Sequence, residues 1–547
     1  MEKGEEGPLM ELLEWLLEFV YKIVTLVGLH PYLWSSPAVD VLRRAASSAK
    51  TYKEWHEIQC EIDCNLDLDV WRATDASPYY DWVRIAQQKR EIERCQINGD
   101  ILNLCGMLRM HPVRNLYQIL SPKLYNIAYG GTKILIEDYI HQVQRCVSDL
   151  AAVAGAQTAF DSQTKMELFH DTSHSIGRST LVLQGGSAFS MCHIGIVKAL
   201  HLQGLLPRIV TGTAMGALVA ALLGIHPEHE LLDVLTGEGL DLTAFEKSSN
   251  MSRTRTQCWQ TIQRRFRRFL ATGHLFNIRV LEQCAQDNLG DVTFEEAFAK
   301  TGRILNITVA LSNEAGIPQL LNYITAPHVL VRSAVVASIA TSKALYAPVQ
   351  LFCKNETGYT EPYVATEPRF HLMQNRCGVR HRGVRLEETP LKRIGELFNV
   401  NHFIIAQTRP YLVPFLRAEQ NYPGRPIFLQ GLIHALSAEI FHMMTQLNTL
   451  GWLPTFICKL LMDETIPNTS RWAKITLVPD ITLKDLPSLL ETPSPHLLKK
   501  WILRGEQSAW PLVPELKVRC GIEFELDRAY EKIKRRTAEQ ILVDFNS

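Results

Sequence analysis

The chain has no excess charge of either sign: Lys and Arg together number 57, and so do Asp and Glu, in 547 residues. That balance excludes a global electrostatic pull toward nucleic acid or an acidic surface, so partners must be argued locally. A repeated Cys-x-x-Cys pair is also missing. Twelve cysteines are scattered, and Cys60 and Cys64 have no matching pair at zinc-finger spacing, which points to free thiols in a reducing compartment and to no metal centre. Long uncharged apolar runs are absent as well. The nearest, Leu9 to Leu29, is interrupted by Glu11, Glu14, Glu18 and Lys22, and four charges in a hydrocarbon core make spanning unfavourable. No cleavable signal peptide is visible at the start.

Two further absences concern chemistry. The sequence contains no Gly-x-Ser-x-Gly and no Asp-Gly dipeptide, and no Asp lies between Asp291 and Asp463. Yet "PRIVTGTAMGALVAALLG", Pro207 to Gly224, has the outline of a nucleophile elbow: an apolar strand, a glycine-bracketed turn, a small-residue helix. In such a turn the glycines allow a sharp change of direction and keep side chains away from the exposed nucleophile. Gly212 and Gly216 hold both glycine positions, and Ala214 stands where the nucleophile belongs. A methyl group attacks nothing; loss of the nucleophile costs serine hydrolases on the order of 10⁶ in turnover.

What is present is enough apolar material, 46% of residues, for one large core or two to four domains. From Thr51 to Tyr139 apolar residues recur at three- and four-residue steps, which predicts a helical scaffold. A polar linker, "DTSHSIGRS", then leads into the buried strand "TLVLQ", the pair Gly185-Gly186 and a helix. Strand, helix, strand, helix predicts a largely parallel sheet flanked by helices, with more strands at "RILNITVAL" and "NHFIIAQT". The stretch with Arg264, Arg265, Arg267 and Arg268 reads as a solvated helix face or as a patch for lipid headgroups or a partner. After Arg409 the pattern turns helical to the end. In Leu9–Leu29 the four charges fall on one narrow stripe, so this helix either lies in a lipid interface or packs on the rest of the protein.

"LVLQGGSAFSMCHIGIVKAL" followed by "VTGTAMGALVAALLG" resembles the patatin-like phospholipase domain. The flanks narrow the resemblance to the triacylglycerol lipases of fungal lipid droplets and the related plant oil-body lipase. The blocks that carry it are "TYKEWHEIQCEID", "YGGTKILIEDYIHQV", "DVTFEEAFAKTGRILNITV", "LKRIGELFNVNHFIIAQTRPYLVPF" and "ILRGEQSAWPLVPELKVRCGIEFELDRA", so it covers roughly residues 40 to 535. It implies an α/β fold with a patatin-like three-layer core and a largely parallel sheet, flanked by N- and C-terminal helical regions. The implied layout is an amphipathic helix at 1–35, a helical domain at 40–150, the patatin-like domain at 178–410 and a helical region at 411–535.

The resemblance also implies a Ser/Asp dyad that works without histidine, metal or cofactor. Its Asp normally stands in a D-G motif eight residues before a Pro; counting back from Pro390 reaches Arg382, followed by Gly383. Relatives usually read G-G-x-x-x-G in the oxyanion turn, where this chain has Gly185, Gly186 and then Ser190 in the last position. Three departures at one site indicate lost chemistry. Ser187, Ser190 or Thr213 is the bland replacement nucleophile, but none sits at the elbow tip. Arg382 either pairs with Glu361, Glu367, Glu387 or Glu388, or joins the helix N-terminus after Ala214 in holding an anionic headgroup or fatty-acid carboxylate.

Three functions follow. The first is a catalytically inactive lipase relative that binds neutral lipid or a phospholipid surface and regulates an active homologue. The second is an ester hydrolase or acyltransferase with a rearranged site; no His has Asp five residues on, which speaks against the H-x-x-x-x-D acyltransferase signature. The third is a structural lipid-droplet protein. All three place the chain on a lipid droplet or the cytosolic face of the endoplasmic reticulum membrane, without nucleic acid.

Overall fold

A computed structural model describes residues 37–110, 113–153, 162–185, 188–239, 278–309, 320–340, 349–363, 390–408, 474–481 and 495–546, with isolated positions between them. The Leu9–Leu29 segment and nearly all of the arginine stretch lie outside these residues. Among the described residues no helix is long and apolar enough to cross a membrane.

The N-terminal part is built of helices, as its periodicity predicts. Tyr52–Asn65 starts at Thr51, whose side chain accepts the Glu54 N–H, and is followed by Leu68–Ala73, Trp82–Asn98, Ile101–Met110 and Ile134–Ala152. Ile85, Ile92, Leu104, Ile136 and Val147 close a core of their own. Before Ile134 the chain makes a tight glycine turn. Asp63, 1% exposed, accepts the N–H groups of Tyr129 and Gly130 at 2.8 and 2.7 Å, and burial raises its pKa.

The segment read as a polar linker is instead the end of a helix, Ser162–Ile176. Thr172 returns its hydroxyl to the Leu168 carbonyl, and Leu168, Phe169 and Ile176 are buried in the N-terminal core. Packing therefore overrides the loop propensity of Asp, Thr and Ser. Only Gly177, at φ +75°, breaks the helix before the sheet begins.

Among the described residues eight strands follow: β1 (Arg178–Gly185), β2 (Ile209–Ala214), β3 (Ile304–Thr308), β4 (Leu320–Leu321), β5 (Phe352–Lys354), β6 (Thr360–Pro362), β7 (Val400–Gln407) and β8 (Lys474–Leu477). Six form one sheet in the order β4-β3-β2-β1-β7-β8, parallel throughout except for β4; β5 and β6 pair as a separate hairpin. The sheet is covered on both faces, so β1 and β7 are apolar without alternation. Leu181, Leu183, Ile404 and Ala406 face one core, and Val182, Phe403 and Ile405 the other. The strands expected at "TLVLQ", "PRIVTGT", "RILNITVAL" and "NHFIIAQT" are β1, β2, β3 and β7.

The reading of everything after Arg409 as helical is corrected by β8, which pairs parallel with β7 from Phe403↔Lys474 to Ala406↔Leu477. Four residues at a sheet edge carry too short an alternation to be seen in sequence. Beyond β8, the helix Pro495–Ala509 crosses the helix Cys192–Leu202 so closely that a Cβ on Gly195 would collide with the Ile502 carbonyl, and one on Gly505 with that of Cys192. The C-terminal helix, Val513–Asn546, then runs from the sheet's core to the N-terminal core, with Val513 and Leu516 in the first and Leu526 and Ile533 in the second.

These parts meet at a buried ionic knot. Arg114 donates to Glu523 at 2.9 Å, to Ser179 Oγ at 3.1 Å and to the carbonyls of Arg519 and Gly177 at 3.0 Å; Arg519 pairs with Glu515 at 2.5 Å. The N-terminal helices, the start of β1 and the C-terminal helix are thereby locked in one register.

Candidate functional site

In an open parallel sheet the crevice lies beyond the carboxyl ends of the strands where their order reverses. Here that point is at β1, whose neighbours are β2 and β7. The residues at those ends are Gly185 on β1, Ala214 on β2 and Gln407 with Thr408 on β7; register sets Gly185 directly beside Ala214. The oxyanion turn and the elbow of the sequence analysis therefore share one edge of the sheet.

Ala214 ends β2 at φ +54°, ψ −126°, and the helix Met215–Ile225 starts at once. A residue with a Cβ is rare in this region, and holding one there costs about 1–3 kcal/mol unless the surroundings impose it. They do so through neutral groups. The Ala214 N–H donates to Ser338 Oγ at 2.9 Å, and Ser338 donates onward to the Thr308 carbonyl at 2.7 Å; Thr213 and Thr308 share a hydroxyl contact of 2.7 Å. Ser338 is fully buried on the helix Val331–Ile339. Nothing near the elbow in sequence announces it, because the contact spans 124 residues.

The two elbow glycines do a different job from the one read in the sequence. Neither has a positive φ; the turn is made by Ala214 itself. A Cβ on Gly212 would run into the Ala217 backbone, and one on Gly216 into the Leu183 carbonyl. They let the helix lie against β2 and β1, which points its N-terminal N–H groups at the site.

At the neighbouring turn, Ser190 is 2% exposed and its hydroxyl lies 3.3 Å from that of Thr408. A Cβ on Gly185 would crowd Ser190 Oγ and Thr408 Oγ1. Behind them, His193 sits fully buried with Nε2 3.2 Å from the Gln184 carbonyl, and desolvation lowers its pKa to about 4, so it is neutral. Sequence reasoning overlooked His193, Thr408 and Ser338 as supports of the site. Gly186, Ser187 and Arg382 lie outside the described residues, as do Glu367, Glu387 and Glu388. Glu361 is exposed on β6 and accepts from Asn355 at 3.2 Å.

The chemistry this edge can perform is limited. The N-terminus of the helix Met215–Ile225 and Gly185 at the end of β1 flank a half-buried methyl group where an attacking oxygen would be placed. Ser190 and Thr213 are engaged with Thr408 and Thr308, off the elbow tip. A second Ser-His-carboxylate group, Ser179 with His402 at 3.2 Å and Glu523 at 2.5 Å, lies at the opposite end of β1. It is sealed in the ionic knot, with Ser179, His402 and Glu523 no more than 4% exposed, so no ester reaches it.

Residues 181–364 match the model of the patatin-like phospholipase family, and residues 33–174 match a domain of unknown function, DUF3336. Over 495 residues the chain is 32% identical to the triacylglycerol lipase ptl1 of Schizosaccharomyces pombe, covering 90% of this chain and 86% of that one. It is 28% identical to the triacylglycerol lipase ptl3 of the same yeast, covering 89% and 97%. With the triacylglycerol lipase SDP1L of Arabidopsis thaliana it shares 29% identity over 89% of this chain, which spans 58% of the plant protein. The elbow at the end of β2 and these relatives agree: the chain belongs to the patatin-like phospholipase family, in the branch that carries the DUF3336 domain and whose relatives, triacylglycerol lipases by name, tie it to lipid metabolism.

Proposed function

We propose that this protein is a catalytically silent member of its family, which binds a neutral-lipid or phospholipid surface and modulates an active homologous lipase. The observation that carries the reading is Ala214, held in the strained backbone of a nucleophile elbow with no hydroxyl to offer. The fold has kept the geometry and lost the reagent. Arg382 in place of the expected Asp supports it from the sequence: a guanidinium cannot accept a proton as a general base.

Lipid contact is the part of the family's behaviour that survives without catalysis. The N-terminus of the helix after Ala214 still offers N–H donors to an ester or headgroup oxygen. The Leu9–Leu29 segment adds an apolar face suited to a lipid surface, and the proposed address is a lipid droplet or the cytosolic face of the endoplasmic reticulum. Co-flotation tests the reading: purified chain is mixed with triolein droplets coated with phosphatidylcholine. The chain is expected to float with the droplets and to change triolein hydrolysis by an active homologous lipase at least twofold. Failure to float, or an unchanged rate with the chain on the droplets, contradicts it.

A further inference from the structure

The short helix Leu68–Ala73 buries none of its residues, although Leu68, Val70 and Trp71 belong to it. It is held from one side only: Lys133, itself buried, donates to the carbonyls of Trp71 and Thr74 and stands 4.0 Å from the centre of the Trp71 ring. Lys133 leads into the helix Ile134–Ala152, which runs parallel to Trp82–Asn98, with Gln88 beside Tyr139 and Gln96 beside Asp149. Trp82 and Val83 therefore come level with Lys133 and Ile134. One end of the N-terminal helical part thus presents Leu66, Val70, Trp82, Val83 and Ile134, each between 37% and 62% exposed. Folded chains rarely gather large apolar side chains at one surface without a partner for them.

Two observations choose the partner. The first is where the chain enters. The helix Pro37–Ser48 lies against the same end, with Arg43 donating to the Tyr129 hydroxyl at 3.1 Å, just before Lys133. Residues 30–36 join the apolar Leu9–Leu29 stretch to that helix and span at most about 25 Å, so the stretch and the end face can share one surface. The second is charge. Asp67, Asp69, Asp75 and Asp81 are exposed around the face, while the cations beside them are engaged: Arg72 with Glu137, Arg84 with Asp81 and Lys123 over the Tyr79 ring. Leu9–Leu29 is acidic too, with Glu11, Glu14 and Glu18 against Lys22. A second copy in a two-fold contact would bring the same carboxylates together, and an anionic membrane would repel them. A lipid surface without net charge does neither.

We infer that this end of residues 33–174, the domain of unknown function, docks on the phosphatidylcholine coat of a neutral-lipid droplet. Trp82 sits at the headgroup level, where an indole suits a boundary between apolar and wet. The inference rests on the lipid binding proposed above and assigns the surface that performs it.

The experiment floats the full chain with triolein droplets coated with phosphatidylcholine, beside three variants. Ile97→Asp is the control, since Ile97 is 85% exposed near the opposite end of the helix Trp82–Asn98. It is expected to float like the unmodified chain. The double variant Val70→Asp with Trp82→Asp, and the single variant Ile134→Asp, are expected to lose binding at least fivefold with unchanged thermal midpoints. Replacing a third of the phosphatidylcholine by phosphatidylserine is expected to weaken binding of the unmodified chain at least twofold at low salt. Failure of the unmodified chain to float contradicts the proposed function and this inference together. Flotation that the folded variants retain overturns the inference alone, as does an equal loss in Ile97→Asp or binding to the phosphatidylserine coat that is as tight or tighter. In the absence of lipid, a dimer by light scattering that the double variant dissolves would give the face to a second copy. A carbodiimide crosslink from Lys22 to Asp67, Asp69 or Asp75 in the lipid-free monomer would give it to the chain's own Leu9–Leu29 segment. Either result overturns the inference.

Discussion

At the scale of single residues, the telling feature is the backbone conformation at the end of β2. Ala214 keeps φ +54° although alanine gains nothing there. Relieving the strain is worth about 1–3 kcal/mol, and the greater freedom of glycine in the unfolded chain takes back about 0.4–1 kcal/mol. Ala214→Gly is therefore expected to stabilise the protein by about 1 kcal/mol in denaturant unfolding. Gly216→Ala is expected to act oppositely, by about 1–3 kcal/mol, because its Cβ meets the backbone of β1. The two glycines and the missing hydroxyl were legible in sequence, since a fixed spacing carried them. Ser338 was not: its role exists only once β2 and β3 lie side by side. Arg382 remains a reading of the sequence.

At the scale of elements, most of the sheet was legible because a strand buried on both faces writes itself as a short apolar run. β1, β2, β3 and β7 did so; β4 with two residues and β8 with four did not. The last turns of Ser162–Ile176 read as a linker because their polar residues count against a helix unless packing is known. Gly195 and Gly505 show the same limit, since nothing local reveals that two helices touch through their backbones. Gly505→Ala is expected to push the helix Pro495–Ala509 off the helix Cys192–Leu202 and lower stability by about 1–3 kcal/mol. Faster amide exchange in both helices, with the N-terminal helices unchanged, checks it.

At the scale of the whole molecule, two histidines buried on opposite sides of the sheet's ends make stability depend on pH. Burial holds His193 at about 4 and moves His402, which also faces Arg114 and Arg519, well below its ordinary value. Both are neutral in the folded protein and take up protons once unfolded, near pH 6.5, so their contribution is full above that pH and is lost as pH falls below it. Between pH 7 and 5.5 each is expected to account for about 1 kcal/mol of lost stability. The buried carboxylates Asp63, Glu506 and Asp527, whose pKa burial raises, act the other way. Denaturant unfolding at the two pH values checks it, and His193→Gln is expected to remove about half of the difference.

The central claim is that the fold retains a lipase elbow and lacks the groups to use it. Fatty-acid release from triolein and from a short-chain ester, measured for the unmodified chain beside the double variant Ala214→Ser with Arg382→Asp, tests this most directly. The account predicts no release above solvent from the unmodified chain and measurable release from the double variant. Release by the unmodified chain, with contaminating lipases excluded, would contradict it.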